Sequence, residues 1–350
     1  MEPLELEEPR PDEVLVKIEA VGVCPTDIGA RDGRLPVSFP IILGHEGAGR
    51  VVQVGKEIRT IAAGDAVLVT PDACGRCDRC RQGQTTYCDN LFAYTFAGVR
   101  PDGSPRARKG AVPVRAAFFG QSSFASYVLA TERNLLRVPG DAPLQWLAGL
   151  VCGAQTGAGA VWNAMPVTVG TALAVFGVGT VGLSAVIAAK LAGADPIIAV
   201  DRVSSRLRLA QELGATYAID LGRVSYPVDR IIRWTDGGCQ VALDTTGSPQ
   251  VIRLAVESLA TRGVCGIVTG KGGEICLPPS ALLDKGRMIR GIMGGDATGS
   301  LLLKKLVGLF SEGKFPIDRL VKHYPFAEIN RAIAAMQAGE VIKPVLLFSA

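Results

Sequence analysis

The segment ALAVFGVGTVGLSAVIAAKLAG, residues 172–193, leaves this chain few folds to choose from. An apolar, β-forming run enters a turn with glycines at 177, 179 and 182. A stretch of helical composition follows. PIIAVD comes next as a second strand and ends at Asp201, 19 residues after Gly182. A GxGxxG alone is a weak signal. Between a strand and a helix, with an acidic residue closing the next strand, it has the setting a dinucleotide-binding turn requires. Gly177 makes the turn, Gly179 lets backbone approach a pyrophosphate, and Gly182 permits close helix packing. The pyrophosphate would rest on the helix N-terminus. Asp201 would accept hydrogen bonds from the adenosine ribose and repel a 2′-phosphate, which points to NAD. The plainer alternative is a glycine-rich turn in any α/β domain.

The alternation continues downstream. SSRLRLAQELGA reads as a helix with serine available as N-cap, and YAID, QVALDTTG, VIRLAVESLA and GVCGIVTG carry the pattern on. Strands alternating with helices predict a parallel sheet covered on both faces. Before residue 153 the pattern differs: EVLVKIEAVGV, GRVVQVG, GDAVLV and SFASYVLA read as short strands, and residues 74–120 as loop. After Gly295, SLLLKKLVGLFSEG and FAEINRAIAAMQAGE read as helices and KPVLLF as a last strand. No internal repeat is present. At 350 residues the chain has room for two domains.

CGRCDRCRQGQTTYC places Cys74, Cys77, Cys80 and Cys88 within 15 residues. Zn²⁺ takes four thiolates in a tetrahedron, and two-residue gaps let a tight turn present successive sulfurs to one ion. Disulfides are the alternative. The N-terminus is acidic and lacks the apolar core of a signal peptide, and no run of 18 apolar residues exists. The expectation is therefore a cytoplasmic protein without a membrane span, where thiols stay reduced and a dense cluster holds metal. Arg76, Arg79 and Arg81 either offset thiolate charge or are simply solvated. Cys239, Cys265 and Cys276 read as small buried hydrophobes. The net charge of +4 is dispersed, which argues against nucleic acid. Arg106-Ala107-Arg108-Lys109 is the densest basic patch and reads as a solvated loop.

Only two histidines exist, His45 and His323. His45 lies beside Glu46 in LGHEGAGRVVQVG, far in sequence from Cys24 in GVCPTD and Cys152 in VCGAQTG. Spacing alone does not bring these three together.

GVCPTD, GHEGAG, CGRCDRCRQGQTTYC, CGAQTGAG and GVGTVG occur in the order found in zinc-dependent alcohol dehydrogenases of the medium-chain family, which the chain resembles over its whole length. FFGQSSFASYVLATERNLLRV, LLDKGRMIRGIMGGDA and INRAIAAMQAGEVIKPVL resemble the aryl-alcohol (benzyl alcohol) branch. The resemblance implies an α/β protein of two domains. One is a GroES-like distorted β-barrel, the catalytic domain, from residues 1–153 and 296–350. The other is a Rossmann NAD-binding domain from residues 154–295, with the active site in the cleft between the two.

It further implies two zinc ions per chain. Cys24, His45 and Cys152 match catalytic zinc ligands, with Glu46 a carboxylate able to approach the metal, and Asp27 orients the histidine. Cys74, Cys77, Cys80 and Cys88 match the structural site. Thr26 matches the hydroxyl that takes the alcohol proton, Arg206 a brace for the adenosine ribose, and Lys343 a basic residue near the pyrophosphate. Phe118 and Phe119 fall where the family builds its substrate pocket. The implied partner is a small alcohol or aldehyde, in a homodimer or homotetramer. Two departures stand out: Gly29 occupies the position of the histidine that often passes the proton to solvent, and the N-terminus is short. Aliphatic or glutathione-adduct alcohols are the competing substrates. A non-catalytic cofactor-binding module is the reading from another class, and the presence of Cys24, His45 and Cys152 together speaks against it.

Overall fold

A computed structural model of the chain describes residues 2–270, 272–298 and 300–348. Two compact units make it up: Met1–Cys152 with Thr298–Ala350, and Gly153–Ala297.

The second unit is a six-stranded parallel sheet. Its strands run, edge to edge, Tyr217–Asp220, Ile197–Asp201, Leu173–Phe176, Cys239–Asp244, Leu259–Ile267 and Met288–Gly291. Strand order reverses at Leu173–Phe176, and sheets of this kind bind ligands at the carboxyl end of the strand where the order reverses. The helix that follows, Thr180–Leu191, buries residues 182–189 without a break. A helix apolar all round can only be interior. The next helix, Ser204–Leu213, departs from expectation at its start. Val203 holds the cap position with no side-chain cap bond, and the Ser204 hydroxyl donates instead to Asp220 at 3.0 Å. Cys239 and Cys265 are buried in the sheet, but Cys276 is exposed, because it lies beyond the strand that ends at Ile267.

The first unit is built on the strand Glu13–Gly22, in which Val14, Val16 and Ile18 all point into the core. It pairs antiparallel with Gly47–Val54, with Tyr127–Thr131 and with Lys343–Leu347. Gly47–Val54 continues to Ala66–Val69 and then Leu135–Val138, and Val321–Pro325 pairs parallel with Lys343–Leu347, making a seven-stranded sheet. Residues 74–120 are more structured than a loop. They hold short helices at Asp78–Arg81 and Leu91–Thr95 and a hairpin, Ala107–Lys109 with Val112–Val114, on which Glu5–Leu6 adds an edge strand. Elements of three to five residues are too short to display a period.

Arg106 is also not solvated. It is buried, donating from Nε to Glu13 at 3.2 Å and from Nη1 to the carbonyls of Gly120 at 2.8 Å and Leu129 at 3.0 Å. Arg100 forks onto both Glu13 oxygens at 2.8 Å. Burial works against the Glu13 carboxylate, yet the two guanidiniums hold its pKa below the ordinary range. Arg108 and Lys109 are the exposed members of the patch and pair with Glu7 and Glu2. Among the described residues no helix is long and apolar enough to cross a membrane.

Candidate metal centres and cofactor turn

Cys24 stands at the N-cap of the short helix Pro25–Arg31, with Pro25 in the first turn where a missing N–H costs nothing. Asp27, in the same turn, is buried and accepts three N–H groups. These are the Cys24 amide at 3.1 Å, the Gly44 amide at 3.1 Å and His45 Nδ1 at 2.8 Å. A carboxylate only accepts, so the bond assigns the proton to Nδ1 and leaves Nε2 as the basic nitrogen. Nε2 is buried with no hydrogen-bond partner. One donor atom each from Cys24, His45, Glu46 and Cys152 lies within 4.8 Å of every other.

The Cys24 and Cys152 sulfurs are 3.9 Å apart. Zn–S bonds of ~2.3 Å in a tetrahedron set sulfurs ~3.8 Å apart, so the pair fits one ion. The Cys24 thiol is pulled well below its ordinary range, chiefly by the hydrogen bond with Cys152 and, against burial, by His45. The same pairing, with burial, pushes Cys152 well up. Burial disfavours a charged His45, yet Asp27 and the Cys24 sulfur hold its pKa well above the usual value.

Glu46 is fully buried beside these groups, and burial lifts its carboxyl to about 7 against the pull of Lys343. The Lys343 ammonium forms an ion pair with Glu46 and donates to the Val23 carbonyl at 3.2 Å. Lys343, expected beside a pyrophosphate, is 2% exposed and pairs with Glu46. Gly22 makes room for the pair, since a Cβ there would lie 1.9 Å from Glu46 Oε2.

Thr26 is half-buried, and its hydroxyl oxygen lies 3.5 Å from Cys24 Sγ. Phe119 lies tilted against the His45 ring at 4.6 Å, and Phe96 meets Phe119 edge-on at 5.7 Å. Phe118 also touches His45 but is wholly buried, so of the two expected pocket phenylalanines only Phe119 keeps surface to offer a substrate. Gly29 is buried in its helix. His323 lies tilted against Trp146 at 4.2 Å, with Nε2 at 3.1 Å from the Gln145 carbonyl.

Cys74, Cys77, Cys80 and Cys88 form a second cluster with all sulfurs within 4.8 Å. The pairs Cys74–Cys80 and Cys77–Cys88 are both 3.9 Å apart, again the tetrahedral edge. Backbone amides converge on the sulfurs: Cys88 accepts from Cys74 and Asn90, Cys74 from Cys77, and Cys77 from Cys80. Burial opposes a Cys74 thiolate, but such amide bonds bring it down to about 6, while burial and its neighbours raise Cys80 to about 12. A shared cation would hold all four as thiolates.

In the second unit the three glycines of the turn have separate reasons. A Cβ at Gly177 would strike Thr245 Oγ1 at 2.6 Å, and φ there is +86°. One at Gly182 would sit 2.0 Å from the Gly177 carbonyl. At Gly179 the nearest atom is Arg206 Nη1, 4.0 Å away, so this backbone stays open to a ligand. Arg206 Nε is buried without a partner. Asp201 uses Oδ2 on the Val178 amide at 2.7 Å and Oδ1 on those of Arg202 at 2.7 Å and Val203 at 2.9 Å. Three of the roughly four acceptor positions of a carboxylate are thereby used.

Residues 10–140 match the family described as alcohol dehydrogenase GroES-like domain, and residues 180–311 match zinc-binding dehydrogenase. The chain is 41% identical to geraniol dehydrogenase of Castellaniella defragrans, covering 99% of this chain and 94% of that protein. It is 34% identical to S-(hydroxymethyl)glutathione dehydrogenase of Saccharomyces cerevisiae, covering 99% and 92%. Among solved structures, an alcohol dehydrogenase zinc-binding domain protein from Burkholderia ambifaria superposes with a TM-score of 0.96 at 47% identity, covering 100% of this chain and 95% of that one. Benzyl alcohol dehydrogenase from Acinetobacter calcoaceticus superposes with a TM-score of 0.94 at 40% identity, covering 99% and 94%.

Proposed function

The chain belongs to the zinc-dependent medium-chain alcohol dehydrogenases, and on that footing we propose that it oxidises a primary, aromatic alcohol to the aldehyde with NAD, and catalyses the reverse. One observation carries the reading: His45 Nε2, buried and unpartnered, faces two sulfurs spaced for one tetrahedral ion. Cys24, His45 and Cys152 would hold a zinc with a fourth position left for substrate, Glu46 standing by. Cys74, Cys77, Cys80 and Cys88 would hold a structural zinc. Zinc bound at the first cluster would supply Lewis acidity that lowers the pKa of an alcohol, and NAD would supply the hydride acceptor. Asp27 keeps the Nδ1 proton in place so that Nε2 stays a ligand. Thr26 takes the alcohol proton and passes it on. In the other unit Gly177, Gly179 and Gly182 shape the seat for the pyrophosphate, Asp201 takes the ribose, and Arg206 braces it.

The aromatic preference rests on Phe119, with Phe96 behind it, and on the likeness to a benzyl alcohol dehydrogenase. Ring contacts contribute ~0.5–1.5 kcal/mol beyond area burial, or about 2- to 12-fold in specificity constant. Rates with benzyl alcohol, cinnamyl alcohol, geraniol, hexanol, ethanol and the glutathione adduct of formaldehyde, each with NAD and NADP, test the assignment. An ethanol or adduct value equal to or above that of benzyl alcohol would remove the aromatic reading. In this reading the chain is a cytoplasmic homodimer or homotetramer. The edge strand Met288–Gly291 supports self-association, because all four of its residues are exposed and its only strand partner among the described residues is Leu259–Ile267. A monomer mass by light scattering would count against it.

A further inference from the structure

The turn Phe118–Ser123 has a backbone that ordinary residues avoid. Phe119, Gly120 and Ser122 have φ of +53°, +75° and +58°. Non-glycine residues held this way cost of order 1–3 kcal/mol each and persist only where the surroundings over-determine them. Here they do. The Gly120 carbonyl accepts from buried Arg106 at 2.8 Å and from Asn134 at 3.3 Å. The Phe119 carbonyl accepts from the Asp72 amide at 3.3 Å. The Ser122 hydroxyl accepts from the Phe118 amide and donates to the Ile42 carbonyl at 2.6 Å.

Residues 121–124 are in turn stitched along residues 43–47. The Phe124 and Ser123 amides each donate at 2.9 Å, to the carbonyls of Leu43 and Gly44. Gln121 is 0% exposed, and its carboxamide spans the two peptides that flank Glu46. Nε2 donates to the His45 carbonyl at 3.0 Å and to the Val69 carbonyl at 2.9 Å, and Oε1 accepts from the Gly47 amide at 3.0 Å. Gly47 is small for this purpose, since a Cβ there would meet Ser123 Cβ at 2.8 Å and Gln121 Oε1 at 3.1 Å. Phe119, from the same turn, lies on the His45 ring.

We propose that Gln121 is a positioning residue for the catalytic centre: it holds the backbone of His45 and Glu46 from behind, so that the imidazole meets the metal in one orientation. The assignment rests on the metal reading of the Cys24–His45–Cys152 cluster. Asp27 fixes the ring from its Nδ1 edge, Phe119 from its face, and Gln121 through the main chain. A long, fully satisfied amide is suited to this, because a side chain that misplaced any of three buried groups would leave it unpaired.

The test is Gln121→Met, which keeps length and removes all three bonds. Zinc content of the wild-type protein is measured first, then release of zinc to a chromogenic chelator, then the visible spectrum with cobalt in place of zinc. The expected result is one zinc leaving about 10-fold faster and the other at the wild-type rate. A shifted cobalt band and a fall in kcat larger than the rise in KM should accompany it. If Gln121→Met does not accumulate as soluble protein, Gln121→Glu keeps the size and the acceptor for Gly47 but loses both donations, and the same selective release is expected. Both zincs leaving at wild-type rates with an unshifted cobalt band, whatever the melting temperature, would make Gln121 an ordinary core amide and overturn the proposal. A wild-type protein with a single zinc overturns the metal reading itself, before any variant is made.

Discussion

Replacing Asp27 with Asn is the sharpest single probe of how this centre is built. The side chains have the same shape, so packing around a residue 1% exposed is preserved. Three N–H donors converge on the two carboxylate oxygens. A carboxamide has one oxygen. In its better orientation that oxygen keeps the Gly44 amide and His45 Nδ1, while the new NH₂ faces the Cys24 amide, donor against donor. One buried N–H left unsatisfied costs ~1–3 kcal/mol, and the bond to His45 loses the strengthening a charged acceptor confers. With about 1 kcal/mol for the second term these come to ~2–4 kcal/mol, or about 30- to 700-fold at 1.4 kcal/mol per decade. The loss should fall on the metal centre, because His45 and Cys24 are the groups disturbed. The assay is kcat/KM with benzyl alcohol beside a chelator competition for each zinc. Asp27→Asn should weaken one zinc and leave the other alone. A specificity constant within threefold of wild type, with both zincs bound as tightly, would refute the claim that this carboxylate sets the ligand geometry.

Other perturbations address separate parts of the molecule. Cys77→Ser should remove one zinc and destabilise the fold, since a structural site contributes directly to folding; unchanged melting with two zincs retained would contradict this. Asp201→Ala should raise the use of NADP relative to NAD, because it removes an acceptor and a charge beside the exposed Arg202. A wild-type protein that already prefers NADP would show the assignment of Asp201 to be mistaken. Gly29 supplies no base near Thr26, and His323 is occupied with Trp146, so small buffer bases should accelerate single-turnover NADH formation at fixed ionic strength. Gly29→His should weaken that dependence, and space allows it: a Cβ at Gly29 would have only the Leu35 side chain near it, at 3.8 Å. No buffer effect in the wild type would remove support for the route through Thr26.

Local chemistry is what the sequence by itself determined. A tetrahedral thiolate site needs four sulfurs on a short, turning backbone, and the spacing from Cys74 to Cys88 states that directly. The strand, glycine turn and helix at 172–193 are likewise a local pattern, and Gly182 is required by a close approach to the Gly177 carbonyl of the same turn, whereas the atoms that press on Gly177 come from Thr245 and Thr246, far along the chain. Tertiary structure decided what depends on distant partners. Cys24 and His45 meet Cys152 through tertiary packing, in which the segment just before it, Ala148–Leu150, lies against the strand Glu13–Gly22. Lys343 turned out to neutralise Glu46, and Arg106 to be a buried brace with Glu13, and neither outcome is written in charge pattern. A buried charge is placed by whatever partner offsets its desolvation, and here those partners lie 93 residues or more away in the chain. Gln121 was hidden for the same reason. A glutamine in a small polar turn looks solvated until residues 43–47 are laid beside it, and only three-dimensional closure shows that all three of its bonds are made.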